Sequence, residues 1–391
     1  MKDTIVIVGA GQAGIKAAET LRGKGHNGTI VMIGDEPWLP YQRPPLSKAY
    51  LKGELDEERM FLTAGQWMET SGIDLRTGRH VTALDPGGRT VALDDGDSLT
   101  YDKLLIATGS RARSLPLPGA LLEGVHTLRD IKDAKRISGT LSRGGRAAVI
   151  GGGFIGMEFA AVARAMGKTV TVIEAQERVL QRVVAAEISA YLRGLHEGHG
   201  VRVRTGTAIS GIEGDTRAEA VVLDSGERIA ADLVLIAAGA VPAVEIAQSA
   251  GLVVERGIVV DAECRTSDPS IFAAGDCTVF RSERYGRMIG LESVQNACDQ
   301  ARAAAAAMLG EPTSYDPVPW FWSDQYDTKL QIAGLSAGFD CTEVIGDPTT
   351  GKFSIRYFLG SRLLAVDSVN DARSHMLARR EIAAQPAAMA A

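Results

Sequence analysis

Two glycine-rich loops constrain this chain more than any other feature. Gly9-Ala10-Gly11-Gln12-Ala13-Gly14 follows the apolar, β-branched run 4–8 and leads into a helical pattern over 14–22 and a second strand over 29–33. Gly151-Gly152-Gly153-Phe154-Ile155-Gly156 has the same spacing between a strand over 147–150, a helix over 157–166 and a strand over 169–173. A GxGxxG after a strand and before a helix is a pyrophosphate cradle. The first glycine makes the tight turn, the second lets backbone approach the phosphates, and the third lets helix pack on strand. The helix start then offers free N–H groups and partial positive charge. One such loop is weak evidence, but two in matching settings predict two dinucleotide sites.

Each site needs an acid about 20 residues on, at the end of the next strand, to take the adenosine ribose hydroxyls. Glu174 stands there in the second unit and favours NADH, because a 2′-phosphate would meet its carboxylate. In the first unit the strand ends on Gly34, and Asp35 follows, with Glu36 as a rival. The connection 23–28 is longer there, which accounts for the later position.

The remaining pattern fits a chain of several domains. Candidate strands at 81–84 and 90–93 flank the turn Asp85-Pro86-Gly87-Gly88. The strand 103–107 runs into Thr108-Gly109, and its counterpart 233–237 runs into Ala238-Gly239. A strand over 271–274 precedes a helix over 294–309, whose alanine run suits tight packing. Ser293 is placed to cap that helix. Residues 315–319 carry two prolines and predict a linker, 371–382 a final helix, and 383–391 a frayed tail.

Several function classes are disfavoured. Lys+Arg total 42 against Asp+Glu 48, so the basic surplus of a nucleic-acid binder is missing. The start lacks a secretory signal's long apolar stretch. The apolar run 233–244 is too short to span a bilayer. These features predict a cytoplasmic protein without a membrane segment. The six histidines, His26, His80, His126, His196, His199 and His375, make no catalytic arrangement, and no metal site is expected.

With these residues in view, the chain resembles the oxygenase-coupled, putidaredoxin-reductase-like family: FAD-dependent, NADH-specific reductases of [2Fe–2S] ferredoxins. Besides the loops, the resemblance rests on Pro40-Tyr41-Gln42-Arg43-Pro44-Pro45-Leu46-Ser47-Lys48, Ala107-Thr108-Gly109 and Ala274-Gly275-Asp276-Cys277. It continues through Glu292-Ser293-Val294-Gln295-Asn296-Ala297 and Pro319-Trp320-Phe321-Trp322-Ser323-Asp324-Gln325. It implies an α/β fold with two Rossmann-like dinucleotide-binding domains, glutathione-reductase-like, plus a C-terminal α+β domain. The FAD domain would be discontinuous, 1–109 and 242–315, with the NADH domain at 110–241 and the C-terminal domain at 316–391.

The resemblance also implies roles. FAD contacts fall on Gly9, Gly11, Ala13, Gly14, Asp35, Arg43, Lys48, Val81 through its backbone, Ala107, Thr108, Gly109, Arg129, Asp276 and Val294. NADH contacts fall on Gly151, Gly153, Ile155, Gly156, Glu174 and Gly239. Lys48 would pair with Glu158 beside flavin N5, and Trp320 would lie near the flavin or in an interdomain aromatic core, with Trp322 assigned to the core.

A negative feature sharpens the expectation. Disulfide reductases of this architecture set a cysteine pair against the flavin. Here the first cysteine is Cys264, followed by Cys277, Cys298 and Cys341, with no CxxC. Electrons from the flavin should therefore leave by another route, and the resemblance implies that hydride transfer from NADH to FAD is followed by single-electron delivery to a [2Fe–2S] ferredoxin serving a haem monooxygenase or Rieske-type dioxygenase. Such partners are acidic, and Arg302, Arg362, Arg373, Arg379 and Arg380 are candidates for a basic patch. The alternatives are rubredoxin, a quinone or oxygen as acceptor, or an NADH-responsive signalling flavoprotein like apoptosis-inducing factor. A monomer is the default.

Overall fold

The computed structural model describes residues 3–386. Ile5–Val8, buried along its whole length, is the centre of a five-stranded parallel sheet. Ile30–Gly34 pairs on one side and Lys103–Ile106 on the other. Ile73–Thr77 extends the first flank. Ile271–Ala273 extends the second, returning from far downstream to pair with Lys103–Ile106. A parallel sheet covered on both faces needs continuous apolar strands, and Ile5–Val8, Ile30–Gly34 and Ile271–Ala273 are buried throughout, whereas the outer strand Ile73–Thr77 alternates with Asp74 exposed.

The second glycine loop starts a similar sheet. Arg146–Ile150 pairs in parallel with Thr169–Ile173 and Leu233–Ile236, and Arg202–Arg204 and Val125–His126 lie outside them. The chain passes between the two sheets twice. The two crossings, Ser110–Ala112 and Ala240–Pro242, pair antiparallel with each other.

Both loop helices start earlier than their hydrophobic pattern suggested, at Gln12 and Phe154. The middle glycine of each loop is the N-cap, and its carbonyl accepts the first helical hydrogen bond: Ile15 N–H to Gly11 at 3.1 Å and Met157 N–H to Gly153 at 3.0 Å. The first helix, Gln12–Gly23, buries Ala13, Gly14, Ala17 and Ala18. It packs against Val294–Met308, which buries Ala303 through Ala307. Small residues on both surfaces allow the close approach, so the alanine run is a packed helix, as expected. The turn at 85–88 joins Val81–Asp85 and Thr90–Leu93, which pair antiparallel.

A third sheet is antiparallel, in the order Trp320–Gln325, Thr328–Gly334, Arg362–Val369, Lys352–Leu359, Cys341–Asp347. The final helix, Ala372–Ala384, covers one part of it and buries His375, Ala378 and Ile382. Elsewhere the sheet packs on the second unit. Phe353, Ile355 and Tyr357 meet Val184, Ile188 and Leu192 in one buried cluster. The helix runs past residue 383, where fraying was expected; the part of that tail beyond 386 lies outside the described residues. Among the described residues no helix is long and apolar enough to cross a membrane.

Candidate active site

The two loops show why glycine is needed at each position. At Gly9 φ is +121°, and an added Cβ would sit 2.1 Å from the Ala107 carbonyl oxygen; at Gly14 it would sit 2.0 Å from that of Gly9. Gly151 and Gly156 repeat this, at 2.4 Å from the Ala237 oxygen and 2.1 Å from the Gly151 oxygen. The outer glycines are thus demanded by the protein's own backbone. Gly11 and Gly153 are different: a Cβ at either meets nothing within 4 Å. Their smallness serves space outside the chain, which is what a pyrophosphate against a helix start requires. The residues present therefore fit two dinucleotides.

The first loop forms one wall of a long cleft of about 1510 Å³, its open mouth included. Of the expected FAD contacts, Gly9, Gly11, Ala13, Asp35, Arg43 and Lys48 line it, as do Ala107, Thr108, Gly109, Arg129, Asp276 and Val294. Gly14 lies behind the loop against Gly9. Val81 is absent from the wall; it starts its strand with its side chain in the core, 7% exposed. From the second unit Ile155 and Glu158 reach the cleft, together with Phe154. Gly151, Gly153, Gly156, Glu174 and Gly239 are not part of this wall.

Charge in the cleft is ordered by local bonds. Asp276 accepts from Arg129 Nη2 and from Ser110 Oγ, both at 2.9 Å. Arg43 donates to the Arg129 carbonyl at 2.9 Å and pairs with Glu36 at 2.6 Å. Glu36 also accepts from the Tyr41 hydroxyl at 2.5 Å. Both acids line the cleft, but the Glu36 carboxylate is already engaged by Arg43 and Tyr41, which leaves Asp35 the freer of the two rivals. Ser293 caps the helix Val294–Met308, accepting from Asn296 N–H at 3.1 Å. That helix presents its positive end to the cleft at Val294. Glu174, one residue past its strand, accepts from Gly152 N–H at 2.6 Å and from Gln176 N–H at 2.8 Å.

Lys48 Nζ lies 2.6 Å from Glu158 Oε2. Glu158 is 5% exposed. Ser47 Oγ donates to the same oxygen at 2.7 Å, and Ser323 Oγ donates to Oε1 at 2.7 Å. Nothing in the sequence alone marks Ser47, Ser323, Gln325 or His196 as part of a site. No short motif contains the four; they meet only where the turn Pro44–Ser47, the helix Ala186–Gly198 and the strand Trp320–Gln325 converge around Glu158.

The aromatic expectation is corrected. Phe321 and Trp322 line the cleft and Trp320 does not. Side chains two apart share a face of a strand, and the Trp320 ring lies 5.9 Å from that of Trp322. The start of the strand runs beneath the final helix, so Trp320 sits against His375 and under the Arg379 guanidinium, 4.8 Å from its ring centre. The cleft is instead reached further along the strand. Phe321, on the opposite face, packs on Phe154 at 4.7 Å.

No cysteine lines the cleft. Cys264 and Cys277 are buried, and burial pushes both thiols up. Cys298 accepts from Gln12 at 3.3 Å behind the loop, and Cys341 is exposed. Of the candidate basic patch, Arg373, Arg379 and Arg380 share the final helix. Arg362 donates to the Pro386 carbonyl just beyond that helix, and Arg302 is paired with Asp299 on another helix.

Known proteins share this sequence and fold. Residues 3–301 match the family described as pyridine nucleotide-disulphide oxidoreductase, and residues 320–391 match the one described as reductase C-terminal. The chain is 47% identical to rhodocoxin reductase of Rhodococcus erythropolis over 383 residues, covering 98% of this chain and 90% of the relative. It is 39% identical to a rubredoxin-NAD(+) reductase of Pseudomonas putida, covering 94% and 95%. The crystal structure of a covalent putidaredoxin reductase–putidaredoxin complex superposes with a TM-score of 0.94 at 41% identity, covering 97% of this chain and 93% of that one.

Proposed function

The chain belongs to the pyridine nucleotide-disulphide oxidoreductase family, and from that premise we propose that it is the NADH-dependent, FAD-containing reductase of a [2Fe–2S] ferredoxin. That ferredoxin serves a haem monooxygenase or a Rieske-type dioxygenase. The observation that carries this reading is a cleft built for a flavin dinucleotide whose wall holds an ion-paired lysine and no cysteine. FAD, when bound, accepts a hydride from NADH and releases the two electrons one at a time. With no thiol in the wall to take both, the electrons leave the protein.

The chain's own residues bind and orient. Gly11 and its helix start receive the FAD pyrophosphate, and Asp35 takes its ribose. Arg129 and Asp276 fix the wall beside them, and the Ser293-capped helix directs its positive end into the cleft, where it would stabilise negative charge on the bound cofactor. Gly153 and Glu174 hold NADH, and the Glu174 carboxylate repels the extra phosphate of NADPH. Glu158 positions the Lys48 ammonium at the cleft wall. The domain boundaries at 109/110 and 241/242 rest on the paired crossings Ser110–Ala112 and Ala240–Pro242, and 315/316 on the following unpaired linker. We place the protein in the cytoplasm, with its NADH supply, as a monomer.

The test is reduction of purified acceptors under NADH. A [2Fe–2S] ferredoxin should be reduced at least ten times faster than rubredoxin, a quinone or oxygen. Faster reduction of rubredoxin would overturn the choice of acceptor. Slow reoxidation by every acceptor, with NADH-dependent dimerisation, would favour a signalling flavoprotein instead.

A further inference from the structure

The Glu158 carboxylate receives its two sides from different parts of the molecule. Oε2 accepts from Ser47 and Lys48, next to each other in the first unit. Oε1 accepts from Ser323, on the first strand of the third sheet. Behind Ser323 the polar contacts continue. Gln325 Nε2 donates to Ser323 Oγ at 3.2 Å, and His196 Nε2 lies 2.9 Å from Gln325 Oε1. Ser323 and Gln325 are each 1% exposed, and His196 is 0% exposed.

Bonding rules give this chain a single direction. A carboxylate only accepts, so the Ser323 hydroxyl must donate to Glu158. Its oxygen is then free to accept the Gln325 amide N–H. That orientation turns Gln325 Oε1 toward His196, so His196 Nε2 must carry the proton. The other ring nitrogen, Nδ1, is buried with no partner among the described residues, as a lone pair left over by this tautomer would be. Burial lowers the His196 pKa, which keeps the ring neutral with one proton. Its position is fixed from the side as well, because Tyr326 stacks on His199 at 3.7 Å and meets the His196 ring edge-on at 5.1 Å.

We propose that Ser323, Gln325 and His196 are positioning residues, a one-way hydrogen-bond relay that sets the plane of the Glu158 carboxylate and through it the Lys48 ammonium at the cleft. The relay joins the helix Ala186–Gly198 of the second unit to the strand Trp320–Gln325 and then to the loop helix Phe154–Ala165. The third sheet is therefore part of the site that accepts electrons from NADH, and its role is not confined to its outer surface. Removing Ser323 would leave Glu158 Oε1 as a buried acceptor without a donor, and the carboxylate could turn away from Lys48. A buried network is worth most when every member is satisfied, so each deletion should be felt at the far end.

This inference rests on the NADH-to-FAD half of the proposed function and is independent of the acceptor. In Ser323→Ala the limiting rate of flavin reduction by NADH should fall about tenfold in stopped flow, as small misplacements of site groups do. The NADH dissociation constant should move less than twofold, and Ser323→Thr, which keeps the hydroxyl, should restore the rate. Gln325→Leu should resemble Ser323→Ala. A second readout does not depend on turnover. Nitrogen NMR of the holoenzyme should find His196 neutral and protonated on Nε2, and Gln325→Leu should release that preference. A His196 protonated on Nδ1, or an unchanged reduction rate in a folded, FAD-replete Ser323→Ala, overturns the relay. If the variants behave as stated but no ferredoxin is reduced, the relay stands and the acceptor assignment falls.

Discussion

The two glycine loops have nearly the same backbone and very different surroundings. In each, the outer glycines are pressed against their own strands and the middle one faces open space. Yet the first loop is walled into a cleft to which the second unit and the third sheet also contribute, through Arg129, Phe154 and Trp322 among others. The glycines of the second loop lie outside that wall, and its acid is already bonded to its own loop through Gly152 N–H. Under the proposed function, one local cradle would serve a cofactor that stays and the other a substrate that comes and goes. Enclosure by distant parts of the chain makes the difference.

The most damaging way to break the comparison is Gly9→Ala. Strained backbone and a Cβ driven into the Ala107 carbonyl should cost more than ~4 kcal/mol, beyond what most single changes cost. No folded flavoprotein should then be recovered, and a normal yield with normal thermal unfolding would show that the strand–loop contact is soft. A second test concerns how firmly the third sheet is held to the second unit. Asp367 is fully buried there and accepts from Tyr357, whose hydroxyl in turn accepts from Ala185 N–H at 2.7 Å. Burial raises the Asp367 carboxyl to about 7. The native state thus holds this proton more tightly than the unfolded chain. The stability it contributes is complete below the ordinary carboxylate range and is lost as pH rises through about 7. At ~1.4 kcal/mol per pH unit, the loss between those limits approaches ~4 kcal/mol. Asp367→Asn should therefore unfold at a higher temperature than the parent at pH 8, with the gap closing toward pH 5. A gap that widens on acidification would refute this.

Smaller effects sharpen the contrast. Lys48→Met should slow flavin reduction by NADH about 100-fold, in line with loss of one positioned charge; an unchanged rate removes Lys48 from the reaction. Gly11→Ala and Gly153→Ala should fold equally well and fail differently. The first should lower the flavin content of the purified protein, read from visible absorbance. The second should keep its flavin and weaken NADH binding about tenfold. Should both lose flavin, the assignment of the loops is wrong. Glu174→Ala should narrow the preference for NADH over NADPH by about tenfold, measured as the ratio of kcat/KM values.

Some of this was legible along the chain because it depends on neighbours in sequence. Strand, loop and helix adjoin at residues 4–22 and 147–166, so glycine spacing and β-branching reveal the cradles before any contact is known. Glu174 and the Ser293 cap follow from short-range geometry in the same way. Lys48 and Glu158 were paired only by resemblance, since nothing local relates residues so far apart. Trp320 and Trp322 defeated the reading because a strand's alternation says that both share a face, but not which end of the strand reaches the cleft.

By itself, then, the sequence determined two dinucleotide cradles, an acid, Glu174, at the end of the second unit's strand, and an absence of thiols before Cys264. These are properties of single segments or of simple counting. The tertiary structure alone decided that Glu36 is tied to Arg43 and Tyr41, that Trp322 rather than Trp320 faces the cleft, and that Ser323, Gln325 and His196 stand behind Glu158. The reason is physical. Buried polar groups must find partners, and where separate domains pack together, those partners come from whatever residues folding brings within hydrogen-bond distance, however distant they are along the chain.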